Sequence, residues 1–512
     1  MIRAEFSALP EAVDLLIIGG GVTGAGIARE AARLPITTLL LDAGDFAGGT
    51  SSMSSKLVHG GLRYLKTGEW RLTLESVRER QRLLAEAPGL VERLGFVMPL
   101  YERAKPSRGT MRVGLGLYDL MAGQRNARSV TAQQALQRAP DLEDRGLIGA
   151  MCYDDARTDD ARLVLRLLAE AQAEGLQLRN YTRVDRLLRN GERVSGAHVV
   201  DVESGAAREL RARMVINATG AWADRLGGDA PQLRPLRGSH FLFPHWRFPL
   251  AQAVSWLHPD DHRPIFAYPW EGATLYGTTD LDQSPDADLH RLRMSEQEAT
   301  YLMRGLQARF PRLNLQAKDA LSQITGVRPI VAEAEGAPSS ASRESAIWSE
   351  PGLVGITGGK LTTFRVAARE VLSRAAQQLP ALMPAPDQAM FAVAGPVTST
   401  AERRLVGRLG AALVSYREQM PAGEQCAIPG QPYQWAELRW ALRYEAVVSL
   451  ADLLLRRTRL GLVCAQGGVQ HKAAIQALCT EELGWDEARW QAEWSAYNDY
   501  WLAYHAPLEV AA

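Results

Sequence analysis

Residues 13–18, VDLLII, form an unbroken apolar run, the pattern of a short strand buried on both faces. The glycine-rich GGGVTGAG follows. Next comes IAREAARL, whose apolar positions recur three and four apart and predict a helix. TTLLLDA, at 37–43, predicts a second strand, so the chain opens on a βαβ unit. Two further strand-to-turn patterns lie far downstream. ARMVINATGAWAD, at 212–224, runs into Ala218-Thr219-Gly220. GLVGITGGKLTTFRVAAREVLSRAA, at 352–376, runs through Gly358-Gly359 into a long helical pattern. Between them RGSHFLFP, RPIFAYPW and ATLYGTTD have the aromatic and β-branched content of strands. EAEGAPSSASRES, at 333–345, reads as a loop and MPAPDQAMFAVAGPV, at 383–397, as a linker. Beyond it WAELRWALRYEAVVSLADLLLRRTRLGL has helical spacing, and the Trp-rich end of the chain is helical too, with its Trp residues expected in core packing.

Composition changes this picture little. A chain of 512 residues predicts two or three domains. The 46% hydrophobic and 23% charged shares are those of an ordinary globular protein. Lys plus Arg equals Asp plus Glu, at 58 each, so bulk charge gives no argument for nucleic acid. The four cysteines, Cys152, Cys426, Cys464 and Cys479, lack CxxC spacing and are expected to be buried free thiols in a reducing cytosol. The first residues lack a signal-peptide pattern, and no apolar run of about 18 residues predicts a membrane span.

The opening unit carries the first chemistry. Gly19, Gly21 and Gly24 stand in the GxGxxG register between strand and helix. Such glycines allow a tight turn and close approach of a pyrophosphate, whose charge the helix N-terminus stabilises. Asp42 ends the second strand, where an acid accepts from a ribose hydroxyl. A plain NAD domain would continue into another βα unit, whereas here a Ser/Gly-rich loop follows. That loop, together with the segments at 218–220 and 358–362, makes FAD the better reading. The helix N-terminus after Gly359 would stabilise negative charge on a reduced flavin near N1 and O2.

Within that loop SKLVHGGLRYL, at 55–65, gathers Lys56, His59, Arg63 and Tyr64 around Gly60-Gly61, a composition suited to a negatively charged ligand. With these segments in hand, the chain resembles the FAD-dependent, quinone-linked glycerol-3-phosphate dehydrogenases. The matching stretches are DLLIIGGGVTGAGIA, TSSMSSKLVHGGLRYL, YDDARTDDARLVL, INATGAWAD, RGSHFLFP, YGTTD, ITGVRPI and GGKLTTFR, in that order over residues 14–366. Asp42 stands where many relatives have Glu.

The resemblance implies an α/β, Rossmann-like two-domain FAD oxidoreductase of the glutathione reductase and D-amino-acid oxidase type. It would have an inserted β-sheet substrate domain and a C-terminal α-helical cap. The FAD domain is expected from 1–75, 145–225 and 320–380, the substrate domain from 76–144 and 226–319, and the cap from 385–512. FAD contacts fall on Gly19, Gly21, Val22, Thr23, Gly24, Asp42, Ala43, Thr50, Ser51, Ser52, Lys56, Leu57, His59, Gly60, Gly61 and Val184. Further FAD contacts fall on Ala218, Thr219, Gly220, Trp222, Gly359, Lys360, Leu361 and Thr362. Substrate-site positions fall on Arg63, Tyr64, Arg328, Arg343 and Lys360.

Flavoprotein alcohol oxidation needs a hydride donor carbon held against flavin N5, a base for the hydroxyl proton and an anion clamp. The planar fork of arginine matches phosphate oxygens, which points to Arg63, Arg328 and Arg343. His240 in RGSHF is expected to be the base, with His59 as the alternative. Arg328 beside the substrate oxygen would stabilise a developing alkoxide. Lys56, Ser51 and Ser52 are expected on the FAD pyrophosphate or ring edge. Asp159, Asp160 and Arg162 are expected to start a helix. No haem or iron–sulfur cysteine motif is present, so electrons would leave to a small external acceptor, by resemblance ubiquinone or menaquinone. Residues 103–128 hold six Lys or Arg against one Asp among apolar residues. They read either as a basic amphipathic segment on an anionic membrane or as an interdomain helix pair. The expectation is a cytoplasmic, homodimeric enzyme, peripheral to the inner face of the membrane. It would oxidise sn-glycerol 3-phosphate to dihydroxyacetone phosphate, with no metal and no nucleic acid. The competing readings are an amino-acid or 2-hydroxy-acid oxidase of the same fold, and a flavin-binding regulator without turnover.

Overall fold

The structure is a computed structural model that describes residues 1–62, 68–102, 107–227, 229–284, 286–332, 345–392 and 399–508. The opening unit forms as its pattern demands: strand β1 (Ala12–Ile18), helix α1 (Val22–Ala31) and strand β2 (Thr38–Leu41). β1 pairs in parallel with β2 and with Ala207–Asn217. Leu353–Gly358 and Gln177–Arg179 extend the parallel sheet at its two sides. Successive side chains of a strand point to opposite faces, and both faces here are covered. Leu15 and Ile17 enter a core with Ala28 of α1, Leu163 and Ala368. Leu16 and Ile18 enter a second core with Val184, Val199 and Leu210. This double burial is why the first strand reads as an unbroken apolar run.

Among the described residues the second sheet has ten strands. The three expected from aromatic content are Leu233–Pro244, Pro264–Trp270 and Ala273–Gly277. Two strands outside the stretches expected for the substrate domain pair within this sheet. Leu147–Thr158 pairs antiparallel with Val91–Tyr101, and Ser322–Val331 pairs antiparallel with Leu233–Pro244. Both lie in stretches expected in the FAD domain, and both hydrogen-bond into the second sheet. Periodicity shows that a segment is a strand; only the tertiary fold shows which strand it joins.

The C-terminal region is helical, ending in Lys472–Leu483 and Glu487–Tyr504. Its tryptophans are core: Trp490 and Trp501 share one apolar cluster with Tyr268, Trp270 and Leu275 of the substrate sheet. The expected linker is partly anchored, because Met390 and Phe391 are buried in the nucleotide-domain core. Cys152, Cys464 and Cys479 are buried free thiols, whereas Cys426 is exposed on a turn.

Buried ion pairs tie the cap to the nucleotide domain. Arg457 grips Asp45 with two bonds of 2.6 and 2.7 Å, and Arg456 joins the same carboxylate. Arg162 grips Glu445 at 2.6 and 2.8 Å. Asp159 caps the helix Asp160–Ala173 by accepting from the Arg162 amide, as expected, and also receives Arg408 and Arg459. Burial alone would raise the Asp45 carboxyl, but Arg457 and Arg456 outweigh it and hold it well below the ordinary range.

Candidate active site

The parallel strands all end at one edge, and the expected cofactor segments meet there. Gly19 has φ +109°, and a Cβ on it would lie 2.5 Å from the Ala218 carbonyl oxygen. A Cβ on Gly24 would lie 1.8 Å from the Gly19 carbonyl oxygen. These two positions admit only glycine, which brings the first turn against the 218–220 turn. Gly21 is the N-cap of α1 and gives it no side-chain cap, and the first turn holds no acidic residue. Val22 donates its amide to Ser51 Oγ at 2.9 Å, so the 50–56 loop crosses this helix end. The Asp42 carboxylate accepts from the Gly20 amide at 2.6 Å and the Gly44 amide at 2.9 Å, holding the turn from below.

The other segments close the same crevice. Thr357 Oγ1 donates to the Gly220 carbonyl at 2.8 Å, and Thr362 Oγ1 to the His59 carbonyl at 3.2 Å. The Trp222 ring packs beside Gly49 and stacks on His290 with centroids 4.3 Å apart. Gly359 has φ +81°, after which Lys360 and Leu361 lead into the helix Phe364–Ala376, which also starts without a side-chain cap. A dinucleotide fits this edge: two uncapped helix N-termini and the glycine turns offer amides and positive dipole to its phosphates.

Other expected cofactor residues take varied places. Thr23 lies half-buried in the first turn of α1 and Ala43 is exposed after β2, while Thr219 Oγ1 is bonded to Asn217. Ser52 is buried and bonded to the Gly49 carbonyl, and Leu57 pairs with Arg157 on a two-residue strand. Gly60 donates to Asp155 at 3.0 Å and has Tyr118 where a Cβ would go, and Gly61 has φ +77°. Val184 lies in the core behind the sheet. Lys56 departs from expectation. Its ammonium is fully buried and bonded to Asp160 at 3.0 Å and to the Ser52 carbonyl at 2.8 Å, under the Trp270 ring. Lys56 therefore holds the loop's underside. Desolvation lowers its pKa to about 8 even with Asp160 beside it.

The substrate sheet presents its own row to this loop. Leu236 pairs with Arg328, Gly238 with Gly326 and His240 with Ile324, so Arg328 and His240 share a face with two glycines between them. A Cβ on Gly326 would meet Met53 at 2.5 Å, which shows the flavin loop lying on this face. Thr50 Oγ1 donates to the Val327 carbonyl at 2.6 Å and fastens the loop there. The Arg328 guanidinium folds over Gly238 and is aimed by Asp280 at 3.1 Å and Thr278 Oγ1 at 3.2 Å, with its side chain still 22% exposed. His240 is buried. Its Nε2 lies 2.9 Å from Ser55 Oγ, and its Nδ1 has no hydrogen-bond partner among the described residues. Burial first, and then the Arg328 and Lys56 charges, lowers its pKa well below the usual 6.5. The imidazole is therefore neutral at neutral pH.

Arg63, Tyr64 and Arg343 lie outside the described residues. Residues that sequence reasoning passed over are Asp280 and Thr278, which aim Arg328, and Ser55, which meets His240. All three lie in quoted motifs, but a motif does not show which serine or acid faces which partner.

The family profile described as FAD dependent oxidoreductase matches residues 14–374, and that of the C-terminal domain of alpha-glycerophosphate oxidase matches 394–490. A protein from Bacillus subtilis named aerobic glycerol-3-phosphate dehydrogenase is 37% identical over 368 residues, 70% of this chain and 66% of that protein. One of the same name from Staphylococcus saprophyticus is 36% identical over 72% of this chain and 67% of its own length. The crystal structure of the glycerol-3-phosphate dehydrogenase from Bacillus halodurans, complexed with FAD, superposes with a TM-score of 0.74 at 28% identity. The superposition covers 96% of this chain and 95% of that one. FAD is thus the cofactor for which the crevice is built. The chain belongs to the FAD-dependent oxidoreductases, in the family that contains the aerobic glycerol-3-phosphate dehydrogenases.

Proposed function

We propose that the protein oxidises sn-glycerol 3-phosphate to dihydroxyacetone phosphate and passes the electrons to a membrane quinone. The observation that carries this reading is the shared face of the substrate sheet, where neutral His240 and a partly exposed, aimed Arg328 lie against the flavin loop. FAD, when bound along the glycine turns, Asp42 and the 358–362 segment, supplies the acceptor for the hydride leaving the carbinol carbon. Arg328 binds the anionic substrate and orients it, with Lys360 as a second cation at the crevice. His240 takes the hydroxyl proton, and the nearby guanidinium favours the developing negative oxygen. Burial beneath the loop excludes water, which strengthens both interactions.

Anaerobic addition of glycerol 3-phosphate to the purified holoprotein tests this directly. The oxidised flavin absorbance is expected to bleach. An unchanged spectrum, or bleaching only by amino acids or 2-hydroxy acids, would overturn the reading. Arg328→Ala is expected to raise KM for glycerol 3-phosphate by roughly 30- to 150-fold, the equivalent of about 2–3 kcal/mol for a charge-assisted contact, while FAD stays bound. Steady-state kinetics with flavin quantitation read this out.

The membrane contact rests on the helix Arg108–Met121, capped by Ser107. Val113 and Leu120 on it are 73% and 75% exposed, and Arg112, Arg125 and Arg128 are exposed around them. Apolar side chains rimmed by guanidinium groups suit the boundary of an anionic leaflet. Among the described residues no helix is long and apolar enough to cross a membrane. The double substitution Val113→Asp, Leu120→Asp is expected to weaken co-sedimentation with anionic vesicles at least ten-fold, since each apolar side chain contributes about 1.5–3 kcal/mol on burial. Turnover with a soluble dye acceptor should not change.

A further inference from the structure

His240 has two ring nitrogens, and a base must present a bare one to the substrate. We propose that Ser55 is the positioning residue that sets the tautomer of His240: Ser55 Oγ accepts from Nε2–H, leaving the Nδ1 lone pair to receive the substrate hydroxyl proton. The inference rests on His240 being the base, as read above.

Ser55 is built to be held still. The Tyr268 hydroxyl donates to its carbonyl at 2.6 Å. Both its neighbours are anchored on one carboxylate: Asp160 accepts from the Ser54 amide at 3.1 Å, from Ser54 Oγ at 2.7 Å and from Lys56 Nζ at 3.0 Å. Lys56 holds φ at +54°, a conformation costly for a residue with a side chain, and the buried Lys56–Asp160 pair offsets that cost. Arg459 from the cap closes on Asp160 at 2.6 Å. The result places Ser55 Oγ 2.9 Å from Nε2, while Nδ1 is buried with no partner among the described residues. An orphaned buried acceptor costs stability unless something uses it. A substrate hydroxyl is the partner it lacks. The hydroxyl proton would pass to Nδ1 while FAD, when bound, would take up the hydride from the carbinol carbon, so that charge and electrons balance.

The test compares Ser55→Ala, Ser55→Thr, His240→Ala and the Ser55→Ala, His240→Ala double variant, each as FAD-loaded protein reduced by glycerol 3-phosphate in stopped flow. Ser55→Ala is expected to slow flavin reduction about ten-fold with KM within two-fold of wild type, and Ser55→Thr to recover most of the rate. The acid limb of the rate profile should move to lower pH in Ser55→Ala, because the lost acceptor had stabilised the imidazolium. In the double variant the Ser55 change should add nothing to the His240 loss. A wild-type rate in Ser55→Ala, an unmoved acid limb, or an equal further loss in the double variant would overturn the proposal. So would a loss that Ser55→Thr fails to recover. Full activity in His240→Ala would instead remove the base reading itself.

Discussion

His240→Asn is expected to lower kcat for glycerol 3-phosphate by about 10²–10⁴-fold, the range for loss of a positioned general base, with FAD content unchanged. The substitution keeps a polar side chain of similar size beside Ser55 and removes the proton acceptor. On the proposed reading the working form is the neutral imidazole. Its pKa is lowered by burial and by the Arg328 and Lys56 charges, so the protonated, inactive form appears only below the ordinary 6.5. The rate should therefore be flat from neutrality down through pH 6.5 and fall only at more acid values. A pH profile of kcat/KM checks this, and a limb centred at or above 6.5 would show that another group sets it. The same shift acts on stability. The unfolded chain takes up this proton below about 6.5 and the folded one does not, so stability falls as pH drops through that window. His505, lowered to about 4 chiefly by burial, acts in the same direction.

The second large effect is on folding. Asp45→Asn is expected to cost about 3–5 kcal/mol, because it leaves the buried Arg457 guanidinium without its carboxylate, while Arg456 keeps Asp452 at 2.6 Å. Asp45 also accepts from Asn180 at 3.0 Å, so the site binds β2's following loop to the cap. Denaturant unfolding followed by tryptophan emission should show a lowered midpoint, and FAD release should accompany it. Since Asp45 is held below its ordinary pKa, its contribution is present above about pH 4 and is lost as pH falls below that, whereas the variant lacks it throughout. Equal midpoints for the two proteins at neutral pH would show that the cluster does not stabilise the fold. Removing the stranded arginine as well, in Asp45→Asn with Arg457→Met, should recover part of the loss.

Much of the cofactor half was legible because its constraints are local. A tight turn with φ beyond +100° at Gly19 demands glycine, a helix that begins on Gly21 leaves amides for an anion, and doubly buried strands need continuous apolar runs. Each of these writes a short pattern into the chain. Lys56 shows the limit of such reading. A lysine in a Ser/Gly loop next to a phosphate-binding turn looks like an anion ligand, yet its side chain runs inward to Asp160, 104 positions away. The linker tells the same story, since nothing local marks Met390 and Phe391 as residues that the nucleotide-domain core receives.

By itself, then, the amino-acid order determined the βαβ unit, the glycine turns at its end and the identity of the strands. Only the tertiary structure decided that Leu147–Thr158 and Ser322–Val331 join the second sheet, and that Asp280 aims Arg328. It alone placed Ser55 against His240 and bolted the cap to the flavin loop through Asp45, Asp159 and Asp160. The reason is physical: dihedral and periodicity constraints act over a few residues and leave local traces. Hydrogen-bond partners, burial and the resulting proton affinities instead arise between segments hundreds of residues apart, once packing has excluded water from between them.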